Sequence, residues 1–156
     1  MCFLCDHMLG TLVTWLRCLG YDTIYASDSL SDKEILQQAA DEKRTLITRD
    51  KMLIKQAKKN HISVIAIESD DLKEQIAGVI CQKEFDESKV FSRCLGCNTL
   101  LQQKDKKDAK QFVPPRIYEF HDRFWYCPCC DQYFWHGTHY KDMKQKIQSL
   151  VSSFKH

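Results

Sequence analysis

Residues 45–67, TLITRDKMLIKQAKKNHISVIAI, hold a strand, a lysine-rich helix and a second strand in one short run. Residues 45–48 (TLIT) read as a strand, and Arg49-Asp50 end it. Residues 51–59 predict a basic helix, Asn60-His61 a turn, and residues 62–67 the clearest strand in the chain. Two strands joined through a helix pair in parallel by a crossover, so this stretch sets the fold class. Upstream the pattern repeats. Ser31-Asp32-Lys33-Glu34 is a capping box opening a helix whose predicted buried face is Ile35, Leu36, Ala39 and Ala40. Residues 23–26 predict a strand. Apolar residues at 8, 9, 12, 13, 16 and 19 have helical spacing and Gly20 stops them, while residues 2–5 (CFLC) form an apolar run ended by Asp6. Downstream, Ser69 is expected to cap a last helix reaching Ile80. The first 80 residues therefore predict a small α/β sandwich on a parallel sheet.

Residues 82–92 are polar and predict a linker, which gives expected domains of 1–90 and 91–156. The charge divides along the same line: 12 Lys/Arg against 15 Asp/Glu in the first part, 11 against 6 in the second. A basic second part suits a polyanionic partner. No apolar stretch reaches the ~18 residues that a membrane helix needs. No basic segment followed by an apolar run opens the chain, so no secretory signal is expected and the protein is placed inside the cell, in cytoplasm or nucleus.

Without secretion, nine cysteines predict metal rather than disulfides. Cys94-x-x-Cys97 and Cys127-x-x-Cys130 are two knuckles that can supply the four soft ligands of a structural zinc. Cys129 is the one competing ligand, and the C-P-x-C spacing favours Cys127 and Cys130. Cys2, Cys5, Cys18 and Cys81 lie in apolar elements and are expected as core thiols.

Ligands of parallel sheets bind beyond the carboxyl ends of the strands. Asp6, Asp50 and the Asp70-Asp71 pair each follow a predicted strand, and Asp32 starts a neighbouring helix. Carboxylates gathered there would need a cation such as Mg²⁺ or Mn²⁺, which can activate water against a phosphodiester. Asp after a strand is equally a helix N-cap, and Glu34 is explained by its capping box alone.

The runs FLCDHMLGTLVTWLRCLGYDT, SDKEILQQAADEKRTLITRD and VPPRIYEFHDRFWYCPCCDQYFWHGTHY resemble the Mut-seven C-terminal ribonuclease-like family, a branch of the PIN-like nucleases. The resemblance covers nearly the whole chain. It implies a PIN-like α/β sandwich followed by a zinc ribbon, with Asp6, Asp32 and Asp50 in the family's acidic metal site and Asp50 in its TRD motif. Many relatives have Glu where His7 stands, so this site carries less negative charge. Family members occur alone or as the last domain of 3′–5′ exoribonucleases in small-RNA pathways.

Around the second knuckle, aromatic residues interleave with Arg116, Arg123, Lys141 and histidines. Rings stack on unpaired bases and basic groups hold phosphates. Arg49, Arg116, Arg123, Trp135, His136, His139 and Lys141 are thus the expected contacts to single-stranded RNA. Alternation is expected to put Phe124 and Phe134 on one face, packing the ribbon against the sandwich, and Trp125 and Trp135 on the other. The expected function is an RNA-binding, metal-dependent ribonuclease. The alternative is a non-catalytic RNA-binding module that serves an exoribonuclease in cis or in trans.

Overall fold

The computed structural model describes residues 1–154. They form two compact units, Met1–Asn98 and a second beginning at Thr99. Among the described residues no helix is long and apolar enough to cross a membrane.

The first unit is a four-stranded, all-parallel sheet in the order β2-β1-β3-β4, from β1 (Cys2–Cys5), β2 (Asp22–Tyr25), β3 (Thr45–Thr48) and β4 (Val64–Ala66). Helices α1 (Gly10–Cys18), α2 (Asp32–Asp41) and α3 (Lys51–Lys59) make the crossovers, and α4 (Leu72–Ile80) follows β4. Central parallel strands are covered on both faces, which is why CFLC and the Leu46-Ile47 centre of TLIT are apolar. Phe3, Leu4, Cys5, Leu46 and Ile47 are wholly buried. Leu4 and Leu46 pack with Ile35, Leu36 and Ala39 of α2 and with Leu53 and Ala57 of α3. Cutting Leu46 to Ala would cost about 2–5 kcal/mol.

Caps fix where the helices begin. The Ser31–Glu34 box is formed, with Ser31 N donating to Glu34 Oε2 at 2.8 Å and Ser31 Oγ accepting from Glu34 N. Three details depart from expectation. Asp71, not Ser69, caps α4, because Ser69 Oγ accepts from Asp71 N one step earlier. Ala40 is exposed, since the buried stripe of α2 narrows to Ile35, Leu36 and Ala39. Cys5 and Cys18 are buried thiols as expected, burial pushing Cys18 up to about 12. Cys81 is exposed, because it stands one position past the apolar face of α4. Gly20 ends α1 at φ +87°, where a Cβ would stand 2.3 Å from the Lys89 carbonyl oxygen. Residues 82–92 thus lie along the end of α1, and Phe91 N donates to Cys18 O at 2.7 Å.

The second unit is an antiparallel meander of β5 (Gln102–Lys104), β6 (Phe124–Cys127) and β7 (Gln132–Phe134), with helices α5 (Lys106–Ala109), α6 (Pro115–Phe120) and α7 (Thr138–Phe154). Its small core is Ala109, Val113 and Phe124, joined by Ile117, Tyr118, Tyr133 and Trp135. Here the expected faces are corrected. The register pairs Trp125 with Phe134 and Tyr126 with Tyr133. Opposed residues share a face, so Phe134 lies with Trp125, and Trp135 falls on the side of Phe124.

Candidate metal centres

β1 and β3 are neighbours whose crossovers leave in opposite directions, so the switch point at which such sheets bind ligands lies beyond their carboxyl ends. Asp6 is the first residue past β1, and its N donates to Ile47 O at 3.0 Å. The residue is 2% exposed. Thr48 Oγ1 donates to Asp6 Oδ2 at 2.8 Å and accepts from Asp50 N at 3.0 Å. One buried hydroxyl therefore joins the two strand ends.

Asp6 Oδ1 is different. His7 Nδ1 lies 2.8 Å away, an ion-pair distance, yet the oxygen accepts no hydrogen bond and is shielded from water. The two facts agree only if the nitrogen approaches off the hydrogen-bonding direction, and the unsatisfied oxygen is the more telling. An orphaned buried carboxylate oxygen costs several kcal/mol of lost solvation, of the order that a cation would restore. The Asp6 donor set therefore fits a divalent ion.

The other two carboxylates stand differently. Asp50 is half-exposed and caps α3, its Oδ1 accepting from Met52 N at 2.7 Å and Leu53 N at 3.0 Å. Asp32 is exposed on the first turn of α2. Among the described residues, the cysteine group alone brings three or more His, Cys, Asp or Glu close enough for one ion. Asp6 and Asp50 are linked through Thr48, and that link does not involve Asp32. Arg49 pairs with Asp70, and Asp71 is spent on capping α4. Thr48 escaped the sequence reading because a threonine ending a strand is ordinary; its position one past the register pair Cys5–Ile47 is the signal.

The ligand atoms of Cys94, Cys97, Cys127 and Cys130 lie within 4.8 Å of one another. Tetrahedral zinc with bonds of about 2.3 Å needs thiolates about 3.8 Å apart, so the group fits zinc. Each knuckle is followed by a residue at positive φ, Asn98 (71°) and Asp131 (51°), types that tolerate the left-handed turn. In the second knuckle Cys130 N donates to Cys127 Sγ at 3.4 Å.

The first knuckle is held by buried polar groups. Arg17, 8% exposed, donates from Nε to Thr23 O (2.9 Å) and from one terminal nitrogen to Leu95 O (2.9 Å) and Gly96 O (2.7 Å). Asn98 Oδ1 accepts from Thr23 N at 2.9 Å, and Nδ2 donates to Asp22 Oδ1 at 2.9 Å. Burial disfavours the Asp22 carboxylate, but hydrogen bonds from Arg44 and Asn98 outweigh it and keep its pKa below the usual value. None of these partners is marked by a motif.

Of the expected RNA contacts in the second unit, Arg116, Arg123, His139 and Lys141 are exposed. Trp135 is half-buried on the small core. His136 is sandwiched between Trp125 (3.9 Å between centroids) and Tyr140 (3.6 Å). Burial, then the charges of Lys144, Arg123 and His121, lower its pKa to about 4. At neutral pH this ring is uncharged, and both its faces are occupied.

A family model described as the Mut7-C RNAse domain matches residues 1–147 of the 156-residue chain. No curated protein and no solved structure matches the chain.

Proposed function

The chain belongs to the Mut7-C RNAse domain family, and from that premise we propose that it is an RNA-binding, metal-dependent ribonuclease that hydrolyses phosphodiester bonds. The observation that carries this reading is the buried Asp6, with an unsatisfied oxygen at the switch point of the sheet and Thr48 joining it to Asp50. Asp6 and Asp50, with Asp32 at the start of α2, would hold Mg²⁺ or Mn²⁺, which when bound activates a water and stabilises the leaving oxygen. Thr48 fixes the rotamer of Asp6, so that Oδ1 is the oxygen left for an ion. Arg49, one residue from Asp50 and paired with exposed Asp70, would exchange that carboxylate for a phosphate of single-stranded RNA. Arg116, Arg123, His139 and Lys141 supply further exposed contacts, while Trp135 and His136 shape the surface from their packed positions. Zinc on the four cysteines serves structure.

A second reading has its own support. Asp32 is exposed and takes no part in the Thr48 link, and Asp50 is engaged in capping, as expected of a non-catalytic RNA-binding module that presents RNA to a 3′–5′ exoribonuclease in small-RNA processing. Labelled single-stranded RNA, incubated with zinc-loaded protein with and without added Mn²⁺, separates the two. Cleavage that requires Mn²⁺ supports the ribonuclease. Binding without cleavage selects the module, and neither binding nor cleavage overturns both.

A further inference from the structure

We infer that Asp6 Oδ1 and His7 Nδ1 form a mixed oxygen–nitrogen ligand pair that selects a first-row transition ion over Mg²⁺. This deepens the metal-dependent reading above and rests on it. The two donors are 2.8 Å apart. Adjacent ligands of an octahedral ion with bonds of about 2.1 Å stand about 3.0 Å apart, so the spacing is that of two cis ligands. An ordinary Asp–His ion pair would place an N–H on the oxygen, but Oδ1 accepts none.

Neighbouring groups hold the pair ready. Asp6 Oδ2 is fixed by Thr48, so Oδ1 cannot rotate away without breaking a buried hydrogen bond. The His7 carbonyl accepts from the Tyr25 hydroxyl, which pins the turn carrying the imidazole. Leu9 N donates to Asp6 O at 3.1 Å and closes that turn. The His7 side chain is 45% exposed, which leaves room for water to complete a coordination sphere.

The chemistry of the donors sets the preference. Imidazole nitrogen suits transition ions, whereas Mg²⁺ keeps to oxygen and to its own waters. One carboxylate oxygen with one imidazole thus discriminates where two carboxylates would not.

Mn²⁺ and Mg²⁺ titrations of the full, zinc-loaded chain by calorimetry test this, together with pulsed EPR of bound Mn²⁺. Mn²⁺ should bind at least about 10-fold more tightly than Mg²⁺ and show ¹⁴N coupling from a directly bound imidazole. His7→Gln should abolish the coupling and weaken Mn²⁺ at least about 10-fold, leaving Mg²⁺ within about 2-fold. His7→Ala is the second variant, and zinc content with circular dichroism checks that both fold. Equal affinity for the two ions, absence of ¹⁴N coupling, or coupling that survives in the His7 variants overturns the inference. Failure of the ribonuclease reading looks different: His7-dependent ¹⁴N coupling would remain while RNA stays intact.

Discussion

Replacing Arg17 by Met removes one buried cation and leaves three carbonyls, Thr23 O, Leu95 O and Gly96 O, without their donors. Hydrogen bonds from a charged group contribute about 1.5–3 kcal/mol each. They are not additive here, because one guanidinium makes all three and its burial opposes its charge, lowering its own pKa. We expect a net loss of about 3 kcal/mol, or a melting temperature lower by about 6–12 °C for a chain of this size. Leu95 and Gly96 are the two residues between Cys94 and Cys97, so their release also loosens a pair of zinc ligands. Groups that orient metal ligands are worth about 10–100-fold in affinity, and zinc transfer to a chromogenic chelator should speed up by that order. Arg17→Lys should not rescue, because a single ammonium cannot reproduce the planar fork. Wild-type melting together with wild-type zinc release in Arg17→Met would refute the reasoning.

Native mass spectrometry should find one zinc per wild-type chain and none in Cys97→Ser; full retention by that variant would break the four-ligand assignment. Asp50→Asn should abolish metal-dependent cleavage while changing stability by under about 0.5 kcal/mol, since Asn caps α3 nearly as well as Asp; unchanged cleavage would refute the role of Asp50. Replacing Arg116, Arg123 and Lys141 together by Ala should weaken RNA binding and flatten its salt dependence by about 0.7 in log–log slope per lost contact; an unchanged slope would place the phosphates elsewhere. His136 has a folded pKa of about 4 against 6.5 unfolded, so the unfolded chain binds the proton more readily between those values. Stability that is complete above pH 6.5 is therefore lost as pH falls toward 4. The full shift corresponds to about 3 kcal/mol, and solvent screening of a partly exposed ring brings it to about 1. Denaturant titrations at pH 7.5 and 5 should show somewhat more than half of that loss in the wild type and not in His136→Phe; equal losses would refute it.

Much of this was legible in the sequence. Short runs with apolar centres, ending at or just before an Asp, marked the central strands, because those strands are covered on both faces. The C-x-x-C pairs announced a metal because their spacing is itself the chemistry. What escaped depends on register and three-dimensional approach. The faces of the meander turn on whether Trp125 pairs with Phe134, which the turn between β6 and β7 decides. The burial of Thr48 follows from how helices sit on the sheet, and no local pattern encodes that. Arg17 was one basic residue among 23 Lys/Arg until the fold placed its guanidinium under the knuckle.

β2 is an outer strand, and Thr23 turns both its N–H and its carbonyl away from β1. Those groups are taken by the side chains of Asn98 and Arg17, the same two residues that seat the first knuckle. Exposed strand edges are templates on which other chains add strands. The knuckle and its anchors thus act as a guard on the sheet's open side. Stripping zinc should then do more than lower stability: by freeing the Thr23 edge it should favour self-association, with chelator-treated protein forming strand-rich aggregates sooner than its melting temperature alone would suggest.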